Sequence, residues 1–233
     1  MLDFFESTTG MLILLIVPVI ITAYAQFSVS STFKKYSRLQ NSRGLTGAQT
    51  AKLIMQINDI RDVQIESVGG SLTDHYDPTH KKLRLSQSVY GEQSVAALGV
   101  AAHEMGHAIQ HKIGYGPLVL RSTLVPVANI GSSIGPYLVM IGLFVSSLSF
   151  LTRIGVILFS CAVLFYLVTL PVEFDASRRA LKNLEENNIL SSKELQGAGK
   201  VLRAAAMTYV ASALTAVFFL IRLIMMSNRR NDK

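Results

Sequence analysis

Ser94–Ile109 reads SVAALGVAAHEMGHAI, and the whole chain is organised around it. The stretch is rich in Ala, Val and Leu and contains no Pro, so it is expected to be one uninterrupted helix. Gly99 and Gly106 leave room for another element to pack closely. His103 and His107 stand four positions apart. At 3.6 residues per turn they share a face, and both imidazoles reach one metal ion. Glu104 points about a quarter-turn away, where it can hold a water bound to that metal. Two His ligands and a Glu that acts as general base form the zinc-peptidase arrangement. The bland alternative is a helix that merely carries two His and a Glu. The small-residue helix around them, in a chain with only five His, favours the metal site.

The rest of the 233 residues points to a membrane. Half are hydrophobic, 16% are charged and mean hydropathy is +0.38, whereas typical globular domains are about a quarter charged. The region 7–33 holds no ionised residue, Arg121 and Arg153 bracket 31 uncharged positions, and Ile154–Val172 and Ala204–Ile221 add 19 and 18 more. These lengths suit spanning helices. Four are expected, at about 7–28, 120–146, 153–172 and 204–226, with Pro126 and Pro136 kinking the second. A chain this short lacks the material to bury four such helices in a soluble core. Asp3 and Glu6 precede the first span where a signal peptide would carry a basic region.

The net charge of +7 does not suggest nucleic acid, because Lys34, Lys35, Arg38 and Arg43 flank an apolar segment instead of interleaving with aromatics. Cys161 is the only cysteine, which rules out an internal disulfide or a Cys-rich zinc cluster. The acidic N-terminal tail and the basic segment after the first span place both polar segments, 34–119 and 173–203, on the cytoplasmic side. Arg229, Arg230 and Lys233 oppose that orientation. Within 34–119, Thr46 should cap a helix to Ile60. Val63–Val68 and Lys82–Ser86 alternate as strands of a small hairpin or three-stranded ribbon. The segment 173–203 is expected to be mostly helical. The fold class is therefore a mainly α membrane protein of one domain, 1–233, with a small α+β peptidase part inserted between the first and second spans and completed after the third.

A catalytic zinc needs a third protein ligand. His111 continues the four-residue series but lies about 12 Å along the axis from His103, too far to share an ion. Ile113 stands where the longer three-His pattern needs a His, and Gln110 where it needs Gly. The ligand should then be a carboxylate just beyond the third span, in PVEFDAS, residues 171–177. Glu173 is favoured as ligand, with Asp175 accepting a hydrogen bond that orients a His ring. Pairing of Glu173 with Arg178 or Arg179 is the alternative. Glu185, Glu186 and Glu194 lie among Lys and Asn and read as solvated surface.

His103–His107, the apolar hairpin after it, Asp74–Pro78, Leu83–Ser86 and the run EFDASRRA from Glu173 to Ala180 together resemble the YugP-type neutral zinc metallopeptidases. The resemblance covers nearly the whole chain. More distantly, the chain is similar to HtpX-type heat-shock proteases and CAAX prenyl proteases, which are integral-membrane gluzincins. The resemblance implies one zinc per chain, a protein or peptide substrate and a role in membrane-protein quality control. Those relatives carry their third ligand with two residues between it and an Ala-Asp pair. Glu173 and Ala176 fit that pattern, while Ser177 replaces the Asp, so Asp175 is expected to take over its part.

On this reading Glu104 takes a proton from the attacking water and passes it to the leaving amine. His75, Tyr76, His80, His111 and Arg178 are candidates to steady the oxyanion. The strand at Leu83–Ser86 either pairs with an extended substrate or is plain core. The competing readings are a non-proteolytic zinc scaffold or assembly factor, proteolysis within the bilayer, and a channel. The scaffold needs no base at Glu104, Glu92 lies too close to the active helix for a full span, and the first three spans carry no mid-helix charge.

Overall fold

The computed structural model describes residues 8–231. Asp3, Glu6, the first residue of the first expected span, Lys233 and the side chains of Arg229 and Arg230 lie outside that description. In chain order the helices and strands are α1 (Thr8–Tyr36), α2 (Gly47–Ile57), β1 (Gln64–Val68), β2 (His75–Asp77), β3 (Lys82–Ser86), α3 (Gln87–Tyr90), α4 (Val95–Lys112), α5 (Gly116–Phe144), α6 (Phe150–Glu186) and α7 (Ser192–Asn231). Among the described residues, four helices are long and apolar enough to cross a membrane, at Thr9–Tyr36, Gly116–Phe144, Phe150–Glu186 and Ser192–Asn228. They contain the expected spans, except that 145 and 146 fall past the end of α5. α6 and α7 are longer than their apolar stretches, because a change from apolar to charged residues marks a change of surroundings and does not interrupt backbone hydrogen bonding.

Two compact units emerge. Among the described residues, the first comprises 8–25, 120–170 and 208–231. Its core holds Val139, Phe159, Val163, Ala216 and Leu223. Within it, Gly135 and Gly155 let α5 and α6 approach backbone to backbone. A side chain at Gly135 would sit 3.0 Å from the carbonyl of Gly155.

The second unit comprises 26–119 and 171–207. α4 lies at its centre, with fourteen of its eighteen residues buried, as a helix apolar on nearly every face requires. Ser94 caps it by accepting from the Ala97 amide. Thr46 caps α2 through a full capping box with Gln49. The strands form one sheet in the order β1-β3-β2, with β1 parallel and β2 antiparallel to β3. Only β2 and β3 make a hairpin. Its turn is closed by Asp77 Oδ1, which accepts from the Thr79 and His80 amides. Leu83 and Leu85 are fully buried beneath the sheet. Because β3 is central and paired on both sides, Leu83–Ser86 is core and cannot receive a substrate strand. The open edges belong to β1 and β2. Glu194 also departs from the sequence reading. It is 8% exposed and accepts from the backbone and hydroxyl groups of Ser42 and Ser191, which ties the start of α7 to the segment after α1.

Candidate metal centre

His103 and His107 come from the middle of α4, and Glu173 comes from α6. The two helices can meet there because position 106 is glycine. A Cβ on Gly106 would lie 2.5 Å from the backbone oxygen of Ala176, closer than a carbon and an oxygen can stand. One turn before Ala176, Glu173 thereby faces both imidazoles. Gly106→Ala is expected to push α6 away, destabilise the protein by about 1–3 kcal/mol and weaken zinc binding while His103 and His107 remain. Zinc content and thermal melting of the variant check this, and wild-type values in both would refute the close-approach argument.

His103 Nε2 and His107 Nε2 lie 3.2 and 3.5 Å from the same Glu173 oxygen. One ligand atom from each of the three residues falls within 4.8 Å of the others. Bonds of about 2.0–2.1 Å in a tetrahedron put neighbouring ligand atoms roughly 3.3 Å apart, so the spacing suits zinc. Glu173 is 2% exposed. Glu104 is buried as well, and its charge acts on the His107 ring.

The far side of each ring is also engaged. Gln110 is fully buried. Its Nε2 donates to the Val172 carbonyl at 2.8 Å and to Asp175 Oδ2 at 2.9 Å. With both amide protons used on acceptors, Oε1 is left for His107 Nδ1 at 3.0 Å, so that nitrogen is the donor. Asp175 is fixed in turn by Arg179 Nε at 2.5 Å and by Arg178. Ser177 Oγ lies 3.1 Å from His103 Nδ1, within reach to accept its proton. The tautomer with both Nδ1 atoms protonated aims both Nε2 lone pairs at the Glu173 carboxylate. Three acceptors aimed at one point call for a cation between them.

The other candidates sort by strand alternation. Tyr76 points toward α4, and its hydroxyl lies 2.8 Å from His111 Nδ1. His75 and Asp77 face the other way, into a charged cluster with Arg84 and His80. Arg178 is largely exposed and committed to Asp175. Asp175 touches no imidazole itself and acts on His107 through Gln110. Ser177 keeps the contact that the sequence reading transferred to Asp175. Gln110 was missed as a functional residue, although its signal was present: a lone amide in an apolar helix, three positions after His107 and so on the same face. Burial, with help from the charges of Asp62 and Asp77, pushes the Tyr76 phenol up to about 12, so it remains a neutral donor through the physiological range.

The family model described as "Putative neutral zinc metallopeptidase" matches residues 11–228. The chain is 49% identical over 210 residues to the "Putative membrane protease YugP" of Bacillus subtilis (strain 168), covering 90% of this chain and 93% of the relative. No solved structure matches it. A match over nearly the entire length, together with two imidazoles and a carboxylate gathered at zinc spacing, leads to one conclusion: the chain belongs to the putative neutral zinc metallopeptidase family.

Proposed function

We propose that the protein is an integral-membrane zinc endopeptidase, with His103, His107 and Glu173 holding one zinc ion per chain and Glu104 as general base. The observation that carries this reading is the cluster of three acceptors at tetrahedral spacing, with a second buried carboxylate on the residue next to His103. A zinc ion held there would supply Lewis acidity, to acidify a water and polarise the scissile carbonyl. Glu104 accepts the proton of the attacking water and delivers it to the amine nitrogen as the C–N bond breaks. Tyr76, neutral and paired with His111, donates to the oxyanion. β2 is an edge strand, so an extended peptide can add to it beside Tyr76. A purely structural zinc site has no use for a buried Glu104, which disfavours a scaffold.

The basic residues after α1 favour a cytoplasmic side for the second unit. The likeness to HtpX-type proteases suggests membrane-protein quality control as the setting, with proteins or peptides as substrates. The test is casein digestion by the purified chain in detergent. A zinc chelator is expected to abolish cleavage and added zinc to restore it. Tyr76→Phe is expected to lower kcat about 10²–10³-fold at unchanged zinc content, the cost of losing one oxyanion donor. Cleavage that persists in chelator would overturn the assignment.

A further inference from the structure

The first unit contains a cavity of about 450 Å³ between α1 and α7, lined by Leu14, Leu15, Pro18, Thr22, Phe219 and Arg222 among others. It is of the size that holds small ligands, about 300–1,000 Å³, and its wall is almost wholly hydrocarbon. At one end the Thr22 and Thr215 hydroxyls lie 3.2 Å apart and satisfy each other. Arg222 stands seven residues along α7 from Thr215, a rise of about 10 Å. Its Nε is buried and has no hydrogen-bond partner, and no ion pair reaches it among the described residues. Arginine in a membrane helix is normally paired, because an uncompensated guanidinium away from water is strongly disfavoured. Met226, four residues further, ends the expected span, so Arg222 lies about 6 Å inside that end.

An apolar slot about two turns long with one unsatisfied cation at its mouth matches an amphiphile with a hydrocarbon tail and an anionic head. We propose that this cavity binds one anionic phospholipid, its acyl chain along Leu14, Pro18 and Phe219 and its phosphate on Arg222. Guanidinium suits the task because its fork of donors engages two phosphate oxygens together. The site is separate from the metal centre, and the proposal stands or falls independently of the peptidase reading.

Native mass spectrometry of the full chain, titrated separately with dioleoyl-phosphatidylglycerol, dioleoyl-phosphatidylcholine and oleate, tests it. The wild type is expected to retain one phosphatidylglycerol at roughly tenfold lower lipid concentration than phosphatidylcholine. Arg222→Gln should erase that preference and Arg222→Lys should keep most of it. Ala23→Phe, which fills the cavity while Arg222 remains, should reduce retention by about the same tenfold factor. Equal retention of the two phospholipids by the wild type would overturn the proposal whether or not the variants can be purified. So would preference for oleate, or an unchanged preference in Arg222→Gln.

Discussion

Glu104→Gln is expected to lower casein cleavage by roughly 10²–10⁴-fold, the contribution of a positioned general base, and to leave one zinc per chain in place. The substitution keeps the side chain's size and its hydrogen-bonding oxygen, which matters at a position only 8% exposed. It removes the negative charge and, with it, the ability to take a proton. Its neighbours His103, His107 and Glu173 converge without its help, since their spacing is set by the α4–α6 approach at Gly106. The two readouts therefore separate the readings. Lost cleavage with retained zinc is the signature of a base. Lost zinc would make Glu104 a ligand or a structural charge, and retained cleavage would end the peptidase mechanism proposed for this helix. A scaffold predicts that the cellular phenotype survives the change.

How much of this was legible from residues alone depends on the range of the interaction. Helices and caps are local, and Thr46 and Ser94 begin their helices where the sequence places them. The four apolar segments are local as well, and each appears as a helix. Ends of α6 and α7 were not legible, since composition changes at a membrane edge without stopping a helix. Strand pairing is not local: the alternation at Val63–Val68 and Lys82–Ser86 announces strands but does not reveal that β1 runs parallel to β3 and leaves β3 in the middle. The same limit applies at the metal centre. The i, i+4 pair is a property of one helix. The bond from Ser177 to His103 and the path from Asp175 through Gln110 to His107 depend on how two helices are set against each other. A glycine in the motif hinted at a close neighbour without saying which. Glu194 was misjudged because its partners, Ser42 and Ser191, lie on either side of a long excursion of the chain.

Replacing Glu173 is expected to remove zinc more completely than any change behind the ligands. Glu173→Ala deletes one of three ligand groups and leaves two imidazoles, which cannot complete the protein's share of a catalytic zinc site. Ser177→Ala and Asp175→Asn leave all three ligands in place and loosen their orientation, for which about 10–100-fold weaker zinc binding is expected. Gln110→Leu should fall at the stronger end of that range. It strips the buried His107 Nδ1 of its acceptor and the Val172 carbonyl of its donor, and a buried polar group left unsatisfied costs about 1–3 kcal/mol. The order Glu173→Ala, then Gln110→Leu, then Asp175→Asn and Ser177→Ala follows from what each change removes: a ligand, then the partner of two buried polar groups, then a single orienting contact. Competition with a chelator of known affinity would rank the variants, and circular dichroism would separate weak binding from unfolding. An Asp175→Asn protein that loses zinc while Glu173→Ala keeps it would exchange their roles. Arg178 and Arg179 would then be holding a ligand, and Glu173 would be no more than an ion-pair partner for two protonated histidines.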